Sequence, residues 1–208
     1  VSTDYQQHAG TGYFKTTLEG EKIPTNLKSI AIANPNTNPV FGGMFGQFYE
    51  DFDKIKPWQQ NLTIKTDYFT FSQNKEETTL TQVENSKITQ GSKVRVRLTL
   101  TADRELEYVL VKLPFASCFE QVDQLSGFNW GFGQHYYLQN YDNRAEFYFY
   151  RLNQGVTVIE FDLFTLRPGV YRSAPAEVQS LYAPEFGAHS AGVKIEVLEH
   201  ETNMPTKL

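Results

Sequence analysis

The chain is predicted to be all-β: an antiparallel sandwich preceded by a partial β unit. Three observations predict this. Apolar residues recur with period two, turn residues punctuate the chain at short intervals, and aromatic residues are abundant, with 16 Phe and 12 Tyr among 208 residues. Period two is the strand signature, because successive side chains point to opposite faces. Rings pack well on such a pleated, half-buried surface.

The elements follow in order. Val94, Val96, Leu98 and Leu100 alternate with Arg95, Arg97 and Thr99. Ile159, Phe161 and Leu163 alternate with Glu160 and Asp162, and Val193, Ile195 and Val197 alternate with Lys194 and Glu196. One apolar and one polar face per strand is the habit of antiparallel sheets. Asp142-Asn143-Arg144 separates Tyr136-Tyr137-Leu138 from Phe147-Tyr148-Phe149 and reads as a hairpin. Asn153-Gln154-Gly155 precedes a further strand, which Arg167-Pro168-Gly169 ends before Val170-Tyr171. From Leu62 onward roughly eight strands are expected, the pattern of a sandwich. Only Gln47–Lys54 has any helical character, and its aromatics sit at mixed spacing.

A composition shift near Ile55-Lys56-Pro57 divides the chain. Before it, strands are expected at Gly12–Leu18, Lys28–Ala33 and Val40–Tyr49 in a Gly- and Asn-rich stretch. So few strands bury little on their own, so residues 1–56 read as part of a domain and residues 57–208 as a complete one. The opening Val1-Ser2-Thr3-Asp4-Tyr5 reads as a cut start.

The bulk numbers exclude several classes. Apolar residues make up 40% of the chain, enough for a real core, and the net charge is −5. That balance argues against nucleic acid and against an anionic membrane surface. No apolar run approaches the ~18 residues of a membrane span. One cysteine excludes an internal disulfide and any cysteine-rich zinc site. Asn61-Leu62-Thr63 is a glycosylation sequon without meaning in a typical bacterial host.

Three segments carry a family likeness. Gly10-Thr11-Gly12-Tyr13-Phe14-Lys15 is followed by Asn34-Pro35-Asn36 and by Phe48–Ile55. Glu107–Pro114 continues to Phe119-Glu120 and to Leu125-Ser126-Gly127-Phe128-Asn129-Trp130. Leu181-Tyr182-Ala183-Pro184-Glu185-Phe186 precedes His189-Ser190-Ala191-Gly192. Together they resemble the C-terminus of bacterial alpha-2-macroglobulin-family proteins, especially those of Bacteroides-like organisms. The resemblance implies that residues 1–56 are the trailing strands of a CUB-like β-domain. Residues 57–208 would be the terminal macroglobulin-like sandwich.

The same resemblance raises a question about Cys118-Phe119-Glu120-Gln121. The family's thioester joins a cysteine thiol to a glutamine amide across this spacing, in an all-helical domain. Here the surroundings are patterned as strand, turn, strand. Cys118 and Gln121 are therefore read as a coincidental look-alike, with Cys118 a small apolar residue.

Other constellations are weaker. His8, His135, His189 and His200 show no metal-ligand spacing. Glu50, Asp51 and Asp53 lack the alternating donors and glycine of a calcium loop and read as a solvated acidic edge. Gly127–Gly133 places Phe128, Trp130 and Phe132 among glycines and an asparagine. Exposed rings there could stack on a sugar or grip a partner, so the three are the candidate interaction surface. The favoured reading is that they fold back to cap the core. No Gly-x-Ser-x-Gly elbow is present. The chain is read as a non-enzyme with no metal or cofactor.

By resemblance, the parent would be an endopeptidase inhibitor of the periplasm or cell envelope, secreted and lipid-anchored, that traps a protease after bait cleavage. This chain would be its non-catalytic structural end, partnering other domains of the parent, the thioester-type domain above all, and meeting target proteases only through the parent. The alternative is a stand-alone carbohydrate- or surface-binding sandwich.

Overall fold

The computed structural model describes residues 6–8, 13–23, 29, 31, 33, 37–74, 77–83 and 87–200. It has two compact units, residues 1–47 and 48–208. In the first, β1 (Gln6–His8) pairs antiparallel with β2 (Tyr13–Lys15), and Gly20–Lys22 makes one 3-10 turn.

The second unit opens with a 3-10 turn at Phe52–Lys54, followed by β3 (Leu62–Asn74), β4 (Glu77–Gln82), β5 (Lys87–Thr89) and β6 (Lys93–Ala102). Next come β7 (Leu106–Pro114), β8 (Phe119–Gln121), β9 (Gly127–Gly131), β10 (Gln134–Tyr141) and β11 (Arg144–Leu152). The chain continues with β12 (Gly155–Thr165), β13 (Gly169–Ser173), β14 (Glu177–Ser180), β15 (Gly187–His189) and β16 (Val193–Leu198).

These strands form a six-stranded sheet β15-β14-β7-β11-β10-β9, a five-stranded sheet β4-β3-β6-β12-β8 and a three-stranded sheet β13-β16-β5. All pairings are antiparallel except β16 with β5, which is parallel. The fold is therefore all-β, as expected. The Asp142-Asn143 hairpin forms, with Tyr141 opposite Arg144. Residues 153–155 and 167–169 turn the chain where predicted.

The core lies between the two large sheets. Val94, Val96, Leu98 and Leu100 of β6 and Ile159, Phe161 and Leu163 of β12 are buried on one side. Val109, Val111 and Leu113 of β7 and Ala145, Phe147 and Phe149 of β11 are buried on the other. Phe147 meets Phe161 edge to face across the sheets, with centroids 5.9 Å apart. Aromatic pairs of this geometry stabilise beyond area burial alone.

The five-stranded sheet presents a charged outer face. Arg95 grips Asp162 with two hydrogen bonds of 2.7 and 3.0 Å and reaches Glu160 at 3.0 Å. Arg97 also holds Glu160, and Lys93 lies 2.8 Å from Asp162. The guanidiniums of Arg95 and Arg97 cover the rings of Phe71 and Phe69.

Several expectations need correction. Residues 40–49 are exposed and irregular rather than a strand, because among the described residues no ladder partner meets them and Gly42, Gly43 and Gly46 weaken an extended run. The helical tendency of Gln47–Lys54 amounts to the single 3-10 turn. Lys28–Ala33 falls largely outside the described residues. Among the described residues the second unit has fourteen strands, β3 to β16, more than the roughly eight expected, because edge strands as short as three residues carry no readable alternation.

Residues 52–58, which the sequence assigns largely to the leading part, pack within the second unit. Arg172 Nε donates to Asp53 at 2.8 Å, and Gly192 N donates to the Ile55 carbonyl at 3.1 Å. Trp58 exchanges two backbone hydrogen bonds with His189, of 3.1 and 2.9 Å.

Candidate functional site

The six-stranded sheet turns two rows of rings outward. Strand register builds the first: Phe128 on β9 lies opposite Tyr137 on β10, Tyr137 opposite Tyr148 on β11, and Tyr148 opposite Leu110 on β7. In the second, Trp130 faces His135 with ring centroids 4.3 Å apart. Further along the sheet, Tyr108 meets Tyr150 at 4.9 Å and Tyr182 at 4.8 Å, both edge to face.

This corrects the capping expectation for two of the three candidate residues. Phe128 is 88% exposed and Trp130 66% exposed. Alternation along β9 puts Gly127, Asn129 and Gly131 on the inner side, so the two rings share the outer face. Phe132 does fold back: it stacks on Tyr136 at 5.3 Å and packs on the core. It sits with Gly133 in the two-residue turn between β9 and β10, both at positive φ (57° and 77°). That pair of left-handed residues twists in the sense a tight hairpin needs. Packing of the Phe132 ring offsets the strain a bulky residue meets there.

The tyrosine end of the face is strained as well. Tyr108 has φ of 50° inside β7. The bend is pinned from both sides: Leu181 N donates to the Tyr108 carbonyl at 2.9 Å, and Ser180 Oγ donates to the Glu107 carbonyl at 3.1 Å. Tyr150 is 62% exposed and Tyr182 79% exposed. The neighbouring rings raise the Tyr108 phenol pKa, chiefly through the hydrogen bond with Tyr150. Sequence reasoning singled out Tyr182 and Tyr108 only as parts of family-like segments and missed Tyr150. Its signal was alternation, since Tyr148 and Tyr150 interleave with the buried Phe147 and Phe149.

Charge on this face is paired. Arg144 Nε donates to Glu146 at 2.7 Å, and Tyr148 donates to the same carboxylate. Burial alone would raise the Glu146 pKa, but these hydrogen bonds hold it below the usual carboxylate value. The same contact pushes the Tyr148 phenol up.

Cys118 is fully buried, and desolvation raises its thiol pKa to about 11. Gln121 is buried in β8; its amide donates to the Tyr141 carbonyl, and its Oε1 has no partner. The acidic residues of the 3-10 turn are engaged: Lys54 lies 2.9 Å from Asp51 and 3.8 Å from Glu50, and Asp53 holds Arg172. Among the described residues no group of His, Cys, Asp and Glu is placed to hold a metal. His135 and His200 are exposed, and the ring of His189 stacks on Trp58 at 6.4 Å. A cavity of about 160 Å³ between Thr66, Tyr68, Ile88 and Ile195 is smaller than the ~300 Å³ at which ligand pockets begin. No helix among the described residues is long and apolar enough to cross a membrane.

Two large antiparallel sheets closed on one core, with a small third sheet beside them, make an all-β sandwich. Residues 62–185, more than half the chain, match the family described as the bacterial alpha-2-macroglobulin MG10 domain. The chain belongs to the bacterial alpha-2-macroglobulin family. No curated protein matches it in sequence.

Among solved structures it is similar to Salmonella alpha-2-macroglobulin reacted with methylamine, with a TM-score of 0.55, 19% identity, and coverage of 69% of this chain and 10% of that one. Escherichia coli alpha-2-macroglobulin activated by porcine elastase gives 0.55 at 15% identity, covering 69% and 14%. The native Escherichia coli protein from domain MG7 to the C-terminus gives 0.52 at 14%, covering 68% and 24%. At these identities the likeness is one of fold alone. The chain spans between about a tenth and a quarter of the length of these relatives.

Proposed function

We propose that this chain is the non-catalytic C-terminal part of an alpha-2-macroglobulin-like protease trap of the bacterial cell envelope. In this reading the chain before residue 51 completes a CUB-like unit and the sandwich packs against another domain of the parent, of thioester type. The observation that carries the reading is the cluster Tyr108–Tyr150–Tyr182. A domain that works alone has no need to hold a bulky residue in a left-handed conformation to present two other exposed rings. Large aromatics that bury a ring and keep a polar tip are the usual anchors of interfaces. Cys118 and Gln121 take no part in a thioester on this account. Family membership supports the trap, its extracytoplasmic location and the absence of catalysis here.

The test uses the parent protein carrying Tyr150→Ala and Tyr182→Ala. Trapping of a protease against a large protein substrate should fall while the sandwich stays folded by circular dichroism. Full trapping by the double variant would contradict the reading, as would stoichiometric inhibition by the 208-residue chain alone.

The exposure of Phe128 and Trp130 favours a second reading, a carbohydrate-binding platform at β9. Titration with soluble envelope glycans, followed by Trp130 emission in a Trp58→Phe background, separates the two. A saturable shift supports the platform.

A further inference from the structure

We infer that residues 51–58 form a clasp that fastens the chain entering the sandwich to its later strands, so that the ordered sandwich begins at Asp51 rather than at Pro57. The segment is attached at successive points along its length. Asp53 pairs with Arg172 of β13 at 2.8 Å. Ile55 accepts from Gly192, immediately before β16, at 3.1 Å. Trp58 makes a two-hydrogen-bond bridge with His189 at the outer edge of β15 and stacks on its ring.

Gly192 decides the geometry. A Cβ there would stand 1.6 Å from the Phe52 carbonyl oxygen, so the segment crosses where only glycine leaves room. The bridge also covers the edge of β15, a strand end that would otherwise offer unpaired backbone groups to another chain. The clasp is thereby a conformational device: the chain is fastened to β13, β15 and the start of β16 before it enters β3 at Leu62.

Hydrogen exchange on the intact chain tests this. The amides of Trp58, His189 and Gly192 should exchange at least about tenfold more slowly than those of Met44–Gln47, which lie in exposed irregular chain. Gly192→Ala should release the segment, raising exchange at Trp58 and His189 by about tenfold or more relative to Val96 and Leu98. In a Trp130→Phe background, Trp58 emission should move to the red. Should Gly192→Ala fail to fold, Asp53→Ala should raise exchange at Ile55 and Trp58 in the same direction. Rapid exchange at Trp58 and Gly192 in the unaltered chain would overturn the clasp. So would protection that neither substitution changes.

Discussion

Tyr108 and Tyr182 meet edge to face at 4.8 Å, and the backbone of the first is held in a left-handed conformation by a hydrogen bond from Leu181, the neighbour of the second. Ring contact and strain are thus two sides of one arrangement. The bend in β7 exists where residues 181–182 cross it.

A direct consequence concerns substitution at Tyr108. Alanine keeps the left-handed penalty, while glycine removes it at about 1 kcal/mol. Tyr108→Gly should therefore be more stable than Tyr108→Ala by about 1 kcal/mol in denaturant unfolding, an inversion of the order in an ordinary strand. Equal stabilities would show that the φ of 50° carries no strain.

Trp130 should behave as a surface residue. Its emission should be red-shifted in a Trp58→Phe background, and Trp130→Ala should cost less than about 1 kcal/mol. Phe147→Ala, in the core, should cost about 3–5 kcal/mol. A cost at Trp130 matching that at Phe147 would restore the capping arrangement.

The Arg95–Asp162 pair sets an acid dependence. Burial raises the Asp162 pKa, but hydrogen bonds from Arg95 and Lys93 outweigh it, and the net value is lowered. A depressed folded pKa contributes stability that is present above the unfolded value of about 3.9. That contribution is lost as pH falls through the folded value. Asp162→Asn should lower stability at pH 7 and flatten the decline below about pH 4. An unchanged acid limb would show that the network contributes nothing.

Cys118 should resist alkylation while folded, because burial raises its thiol to about 11 and shields it, and should react once unfolded. The raised value means that stability holds below the unfolded thiol pKa of about 8.5 and declines as pH rises beyond it. The intact mass should be the full unmodified mass, with no methylamine adduct. A deficit of one ammonia that methylamine converts to an adduct at Gln121 would place a thioester here.

Much of the sandwich was legible because its central strands bury one face only. The alternation in β6, β12 and β16 states which side meets the core, and the turns at Asp142, Gly155 and Gly169 lie where strands end. What stayed hidden depends on partners distant in sequence. Period two assigned Phe128, Trp130 and Phe132 to a common stretch, yet only the register of β9 on β10 divides the outward pair from the inward ring. The left-handed Tyr108 follows from the crossing at Leu181, about seventy residues away, and no local pattern announces it. Residues 40–49 carry the aromatic and branched residues of a strand but are broken by three glycines and meet no ladder partner among the described residues.

The Tyr108–Tyr150–Tyr182 face is proposed as an internal interface of the parent protein. Hydroxyl-radical footprinting of the three tyrosines, in the isolated chain and in the full parent, tests it without reference to activity. Tyr150 and Tyr182 should be readily modified in the isolated chain and strongly protected in the parent. Equal modification of both tyrosines in the two samples would contradict it.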